Sequence, residues 1–327
     1  GLLEALAACS SWGFSAASAT LSTWLALREH AVKVGAGAFY QPVLATAVRA
    51  LRSAAVFSPG FLSMEASARE DFVQFRRELR DALRALMVEA PVRQAFVEEL
   101  RTDIAARLGG PWEPLEEAVH ALSTPAAAIC RGAGGDASNA AAASVVLETL
   151  SALAVDGSPV LAAGCHRQLA CTFVMCASVY AAIFARAAPL PGGVSLTARV
   201  LALARGTLGV RERPQATEGV DAAFPFTVKQ DHIGVVCLLR LCSSCHADPA
   251  LSSQETLVAL QADVRAHLAA GLRGGGEAVL EEHSTVVLAE AVACLAAHHA
   301  DAARELLATC LELAADGRHG GAGLALR

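Results

Sequence analysis

Apolar residues recur along this chain at three- and four-residue steps, most regularly in DFVQFRRELRDALRAL, residues 71–86. Phe72, Phe75, Leu79, Leu83 and Leu86 fall on one face of a helix there, and Arg76, Arg77, Glu78, Arg80, Asp81 and Arg84 on the other. Residues 112–131 repeat the plan, with Pro125 expected to kink or break the helix. Nothing in either stretch is arranged for chemistry. Both read as packing helices with charged backs.

The same rhythm runs through the chain. Residues 2–8 read as the end of a helix. Residues 15–34 form the next, with Leu21, Trp24, Leu25 and Val32 on its apolar side. Residues 40–56 are its partner, with Pro42 in the first turn, where a missing N–H is harmless. A loop over 58–66 follows, and Ser67 stands where a cap would open the next helix. Further helices are expected over 91–108, 138–155, 165–187, 195–205, 224–245, 254–272, 277–297 and 301–315. Residues 206–219 are the expected mobile loop, and 317–327 a frayed end. Residues 235–239 alone would also suit a strand. Pairs recur at roughly 40–47 residues, the spacing of HEAT-type arrays, which gives on the order of seven pairs. The predicted class is therefore all-α: an α-α superhelix of HEAT- or armadillo-like antiparallel helix pairs, spanning 1–327 as one segment. A compact helical bundle remains open on this rhythm alone.

Composition supports helix on helix. The chain is 54% hydrophobic but only 5% aromatic, its apolar content coming mostly from Ala, Leu and Val, and alanine is the best helix former. A net charge of -6 argues against direct nucleic-acid binding, which needs a basic face. Ten cysteines, at positions such as Cys130, Cys171, Cys176, Cys237, Cys294 and Cys310, lie mostly in apolar helical surroundings. They read as small buried hydrophobes in a reducing compartment. No signal or transit peptide is seen, and the chain reads as part of something longer.

Two signatures are more specific: Phe75-Arg76 after an acidic lead, with Asp81 five residues beyond the arginine, and Pro111-Trp112-Glu113 opening an alanine-rich helix. With these the chain resembles importin-β superfamily receptors, most closely the transportin-SR branch, over most of its length. The resemblance implies the central part of a nuclear transport receptor, non-enzymatic and without a cofactor. Its inner surface would take protein cargo, basic or Arg-Ser-rich, under control of the small GTPase Ran. The Ran-binding repeats that open such receptors would belong to parts of the parent chain mostly outside this one. Localisation would be cytoplasm and nucleus. In that family the arginine and aspartate matching Arg76 and Asp81 are structural. A HEAT-repeat interaction scaffold with no link to Ran is the alternative.

Other constellations read more simply as structure. Cys242-Ser243-Ser244-Cys245-His246 has the spacing of covalent c-type haem attachment, but Leu238, Leu239, Leu241 and Cys242 read as the core side of a helix. The histidines include no HExxH and no zinc spacing. The adjacent pairs Cys165-His166 and His298-His299 point about 100° apart on a helix. The glycines at 132–135 and 274–276 lack a phosphate-loop ending, and no nucleophile elbow occurs. Glu98-Glu99, Glu116-Glu117 and Glu281-Glu282 are expected on solvated faces. Residues 169–185 carry no charge over about 17 positions, the lower limit for a membrane span, and are read as a buried helix instead. Arg76, Arg80 and Arg84, at successive four-residue steps, form a candidate basic ridge for an acidic or phosphorylated partner. Set against that is a solvated face, or salt bridges to Glu98, Glu99 or Asp103. Arg77–Asp81 is expected as an i,i+4 pair.

Overall fold

The computed structural model describes residues 2–132, 136–162, 165–208, 230–272 and 282–297, together with Arg304 and Ala308. Every regular element among them is helical. The chain is all-α, an arrangement consistent with an α-helical repeat protein. Two compact units divide it, Gly1–Thr149 and Leu150–Arg327.

The first unit contains α1 (Leu2–Ser10), α2 (Phe14–Lys33), α3 (Gly37–Ala54), α4 (Ala66–Leu86), α5 (Ala90–Arg107), α6 (Trp112–Leu122), α7 (Ala126–Gly132) and most of α8 (Ala137–Leu153). α4 has the strongest apolar stripe. Phe72, Phe75, Leu79, Leu83 and Leu86 are all buried on it, as the three-four spacing requires. Trp24 of α2 is fully buried, and its indole N–H donates to Ser10 Oγ at 3.1 Å. α2 ends in a Schellman motif: Gly35 takes φ +66, its N–H reaches Val32, and the Ala36 N–H reaches Ala31. That conformation suits glycine because no Cβ meets the following carbonyl.

Local signals set several boundaries differently from the sequence expectation. α3 begins at Gly37, so Pro42 lies inside the helix rather than in its first turn. α4 opens at Ala66 after Glu65, with no side-chain cap, and Ser67 is already helical. The expected loop before it holds a 3-10 turn, Phe61–Ser63, whose Phe61 is buried. Pro125 breaks the 112–131 stretch into α6 and α7. Val32, expected on the apolar side of α2, is 51% exposed.

The second unit is arranged around α11 (Gln230–Ser244), which packs against α9 (Arg167–Val179), α10 (Leu196–Leu208) and α14 (Glu282–Ala296). Val235, Cys237, Leu238, Leu241 and Cys242 are buried along it, so residues 235–239 are helix and not strand. α12 (Pro249–Ser252) and α13 (Gln254–Leu272) complete the described helices, and Arg205 Nε donates to Asp263 at 2.7 Å between α10 and α13. The uncharged 169–185 stretch is no single helix. α9 stops at Val179 and a 3-10 turn, Ala181–Arg186, continues it, both largely buried. No helix among the described residues is long and apolar enough to cross a membrane. The expected loop at 206–219 lies outside the described residues from 209 on. So do residues 224–229, 277–281 and 317–327, and nearly all of 301–315 with Cys310.

Candidate functional site

The two sequence signatures, one on α4 and the other on α6, meet in the first unit. Arg76 lies on the side of α4 that faces α6, and its Nη2 donates to both carboxylate oxygens of Glu116 at 2.9 Å. Arg76 is 6% exposed and Glu116 is fully buried. The guanidinium also lies 4.3 Å from the centre of the Phe57 ring, within cation–π range. Phe57 in turn packs on Trp112 with ring centroids 5.8 Å apart, and on Phe61 and Phe72 at 4.9 and 5.3 Å. Phe57 is therefore the hinge-piece between Phe75-Arg76 and Pro111-Trp112-Glu113.

One helical step further, Glu117 turns about 100° away and meets another arginine. Arg52 of α3 forks onto it, Nε to Oε1 at 2.9 Å and Nη2 to Oε2 at 3.0 Å. Asp103 of α5 sits 3.1 Å from the same Nη2, and Glu99 lies 3.9 Å from Nη1. Arg107 reaches Glu117 at 3.6 Å and Asp103 at 3.7 Å. Burial opposes the charge on Arg52, but Glu117 and Asp103 together outweigh it and hold the guanidinium above its ordinary value. For Glu117, burial prevails and raises the carboxyl above the usual carboxylate range, against the pull of Arg52, Arg76 and Arg107. His120, one turn on from Glu116, is kept well below the ordinary histidine range by burial and by the charges of Arg76 and Arg80. It is neutral at physiological pH.

These findings correct one expectation. Glu116 and Glu117 are not on a solvated face; they are the buried centre of a charge network joining α3, α4, α5 and α6. Their own helix carries the missed signal. From Leu115 to Leu122 every residue is buried except His120, which is half-buried, so α6 has no room for a solvated acidic face there.

The three candidate ridge arginines separate. Arg76 is inside, bound to Glu116 rather than to Glu98, Glu99 or Asp103. Arg80 is one-third exposed, 3.9 Å from Asp81, and Arg84 is half exposed, donating to Asp81 at 3.1 Å. Asp81 is thus held from Arg84 and Arg80 on its own helix. Glu98 and Glu99 do lie toward solvent, Glu98 paired with Arg101 at 2.8 Å and Glu99 with Arg49 at 3.6 Å.

A further tether lies below the α4–α5 turn. Arg93, buried, donates to the carbonyls of Met87 and Val88 and to Asn139 Oδ1, the latter at 2.9 Å from Nη2. Asn139 is itself fixed by Asp136, which caps α8 through the Ser138 N–H at 2.9 Å.

In the second unit, Cys242 and Cys245 of the haem-like motif both face the core. Burial pushes the Cys242 thiol up to about 12 and the Cys245 thiol up to about 11. Cys245 Sγ lies 3.2 Å from the Ala181 carbonyl, and Cys237 Sγ 3.5 Å from that of Val174. The sulfurs fasten α11 to α9 and its 3-10 extension. Of the two adjacent pairs, Cys165-His166 places His166 as the cap of α9, accepting the Gln168 N–H at 3.3 Å. His298-His299, Glu281 and residues 274–276 lie outside the described residues. Among the described residues no group of three His, Cys, Asp or Glu side chains is placed to hold a metal.

Compared with known protein families and with curated proteins, the sequence finds no match.

Proposed function

We propose that this chain is part of a nuclear transport receptor of the importin-β superfamily, transportin-SR-like, and that it works by binding protein cargo and not by catalysis. The observation that carries the reading is the meeting of the two signature segments. Residues singled out in the sequence as family-like turn out to be one physical unit, with Arg76 on Glu116 and Trp112 on the Phe57 ring that Arg76 covers. Helix pairs stacked through many modest interfaces suit such a receptor. Curvature then changes at small cost per interface, and a regulator that prefers one curvature couples to cargo that prefers another.

Cargo of basic or Arg-Ser-rich character fits the net charge of -6. Of the candidate arginines, Arg80 and Arg84 stand where an acidic or phosphorylated partner reaches them, while Arg76 is committed to the interior. Residence in cytoplasm and nucleus, and control by Ran through other parts of the parent chain, belong to the same proposal.

The test is a pull-down from nuclear extract with the full-length parent chain, with and without Ran·GTP. Basic or Arg-Ser-rich partners released by Ran·GTP support an import receptor, and partners gained with it indicate export. Partners indifferent to Ran leave a helical-repeat scaffold, the reading that the fold alone also supports.

A further inference from the structure

α3 and α5 border a groove of about 240 Å³ on the first unit. Its floor is apolar and buried, formed by Ala31, Val48, Leu86, Met87 and Phe96. Each long wall is a helical stripe. Gln41, Leu44, Ala45 and Val48 of α3 follow i, i+3, i+4, i+7, and Val92, Ala95, Phe96 and Glu99 of α5 do the same. On α5 the lining runs from Glu89 to Glu99, which at 1.5 Å per residue is about 15 Å. Val32, which also lines the groove, is 51% exposed, and Val88, between the lining residues Met87 and Glu89, is 57% exposed. Exposed large apolar side chains are few on the described surface, and Val32 is one that lines the groove.

The charges at the rim narrow the choice of occupant. Glu99 is engaged by Arg49 at 3.6 Å. Arg28 on α2 and Glu89 at the start of α5 also line the groove, and neither has an ion-pair partner among the described residues. A bound anionic lipid would satisfy Arg28 and be repelled by Glu89. An extended peptide needs main-chain partners along its length, and beyond the first turn of α5 the backbone of both walls is already spent within α3 and α5. A helix satisfies its own backbone and needs only apolar walls and matched charges.

We propose that the groove docks an amphipathic helix of a partner protein, about three turns long. Its i, i+3, i+4, i+7 apolar stripe lies on the floor, with a basic residue at Glu89 and an acidic residue at Arg28. Arg93 keeps the site in shape from beneath, because it holds the Met87 and Val88 carbonyls at the groove's end. The inference stands apart from the transport reading, since it uses no property of Ran or of nuclear cargo.

The test uses the whole chain as bait for a displayed library of helical peptides about 14 residues long, randomised in sequence. Enriched peptides are expected to share an apolar stripe with a base on one edge and an acid on the other. In fluorescence anisotropy, Val32→Glu, an exposed position that leaves the core intact, weakens such a peptide by about tenfold or more. Arg28→Glu weakens it as well, and exchanging the peptide's acid for lysine restores binding. The proposal falls if no peptide separates the wild type from Val32→Glu at concentrations up to about 1 mM. It also falls if the enriched peptides are proline-rich or carry no paired charges. Sedimentation provides the last arm: self-association abolished by Val32→Glu would make a second copy the occupant and overturn the partner-helix assignment.

Discussion

Replacing Glu116 with Leu leaves the Arg76 guanidinium buried and without its carboxylate. Breaking a buried ion pair from one side costs about 3–5 kcal/mol, most of it the desolvation of the remaining charge. Arg76 keeps the Phe57 ring at 4.3 Å, a contact worth up to about 2 kcal/mol when desolvated, so the loss should fall near the lower end of that range, about 3 kcal/mol. Removing both charges together, as Arg76→Met with Glu116→Leu, takes away the stranded ion and should come within about 1 kcal/mol of the wild type. The assay is intrinsic fluorescence in urea. Trp12, Trp24 and Trp112 are the only tryptophans, and all lie in the unit Gly1–Thr149, so the signal reports that unit alone. With a slope of about 1–3 kcal/mol per molar urea, the single variant should melt about 1–3 M earlier. A single variant within about 1 kcal/mol of wild type, or a double variant as unstable as the sum of its singles, would refute the coupling.

Acid should weaken the first unit through His120. Its folded pKa lies below the unfolded value, so as pH falls under about 6.5 the unfolded chain takes a proton that the folded one refuses. Stability then drops by up to about 1.4 kcal/mol per pH unit. The difference between wild type and His120→Leu isolates this slope, because Glu117, whose carboxyl is raised, contributes with opposite sign in both proteins. Gly132→Ala places a Cβ against the Asn139 amide, which Arg93 and Asp136 hold in place. A loss of about 1–3 kcal/mol is expected in the same urea assay, and a neutral result would mean that Asn139 moves freely. Iodoacetamide at neutral pH should leave Cys242 and Cys245 unmodified in the native chain, as read by peptide mass spectrometry. Rapid labelling of either would contradict their burial.

Helices were legible wherever apolar residues kept three-four spacing, because that period is a local property of the chain. Phe72 to Leu86 is the clearest case, and the five stripe residues Phe72, Phe75, Leu79, Leu83 and Leu86 are all buried. Boundaries depended on weaker cues. Ser67 and Pro42 sit close to helix starts, yet α4 opens at Ala66 and α3 at Gly37, each a few residues before the expected start. The site was legible only in part. Arg76 stood out by its signature, but its partner is on another helix, forty residues away in sequence. Nothing local distinguishes an acidic pair that faces water from one that faces two arginines, except the apolar crowding around it. Val32 shows the converse: periodicity assigns a face, but whether a neighbour covers that face is decided elsewhere in the chain.

The adjacent acids of α6 have one more consequence. Helices rich in alanine and leucine present faces that are nearly interchangeable, and such a helix can rotate or slide by a residue at little cost in buried area. Glu116 and Glu117, adjacent in sequence, are met by arginines from two different helices, Arg76 on α4 and Arg52 on α3. A rotation of α6 by one position would bring one carboxylate to the other's arginine and strand the second, with one arginine left unpaired, in an apolar interior. The pair therefore works as a two-toothed key: it admits one rotational setting of α6 against its neighbours and rejects the rest, a selectivity that leucine and alanine alone would not supply.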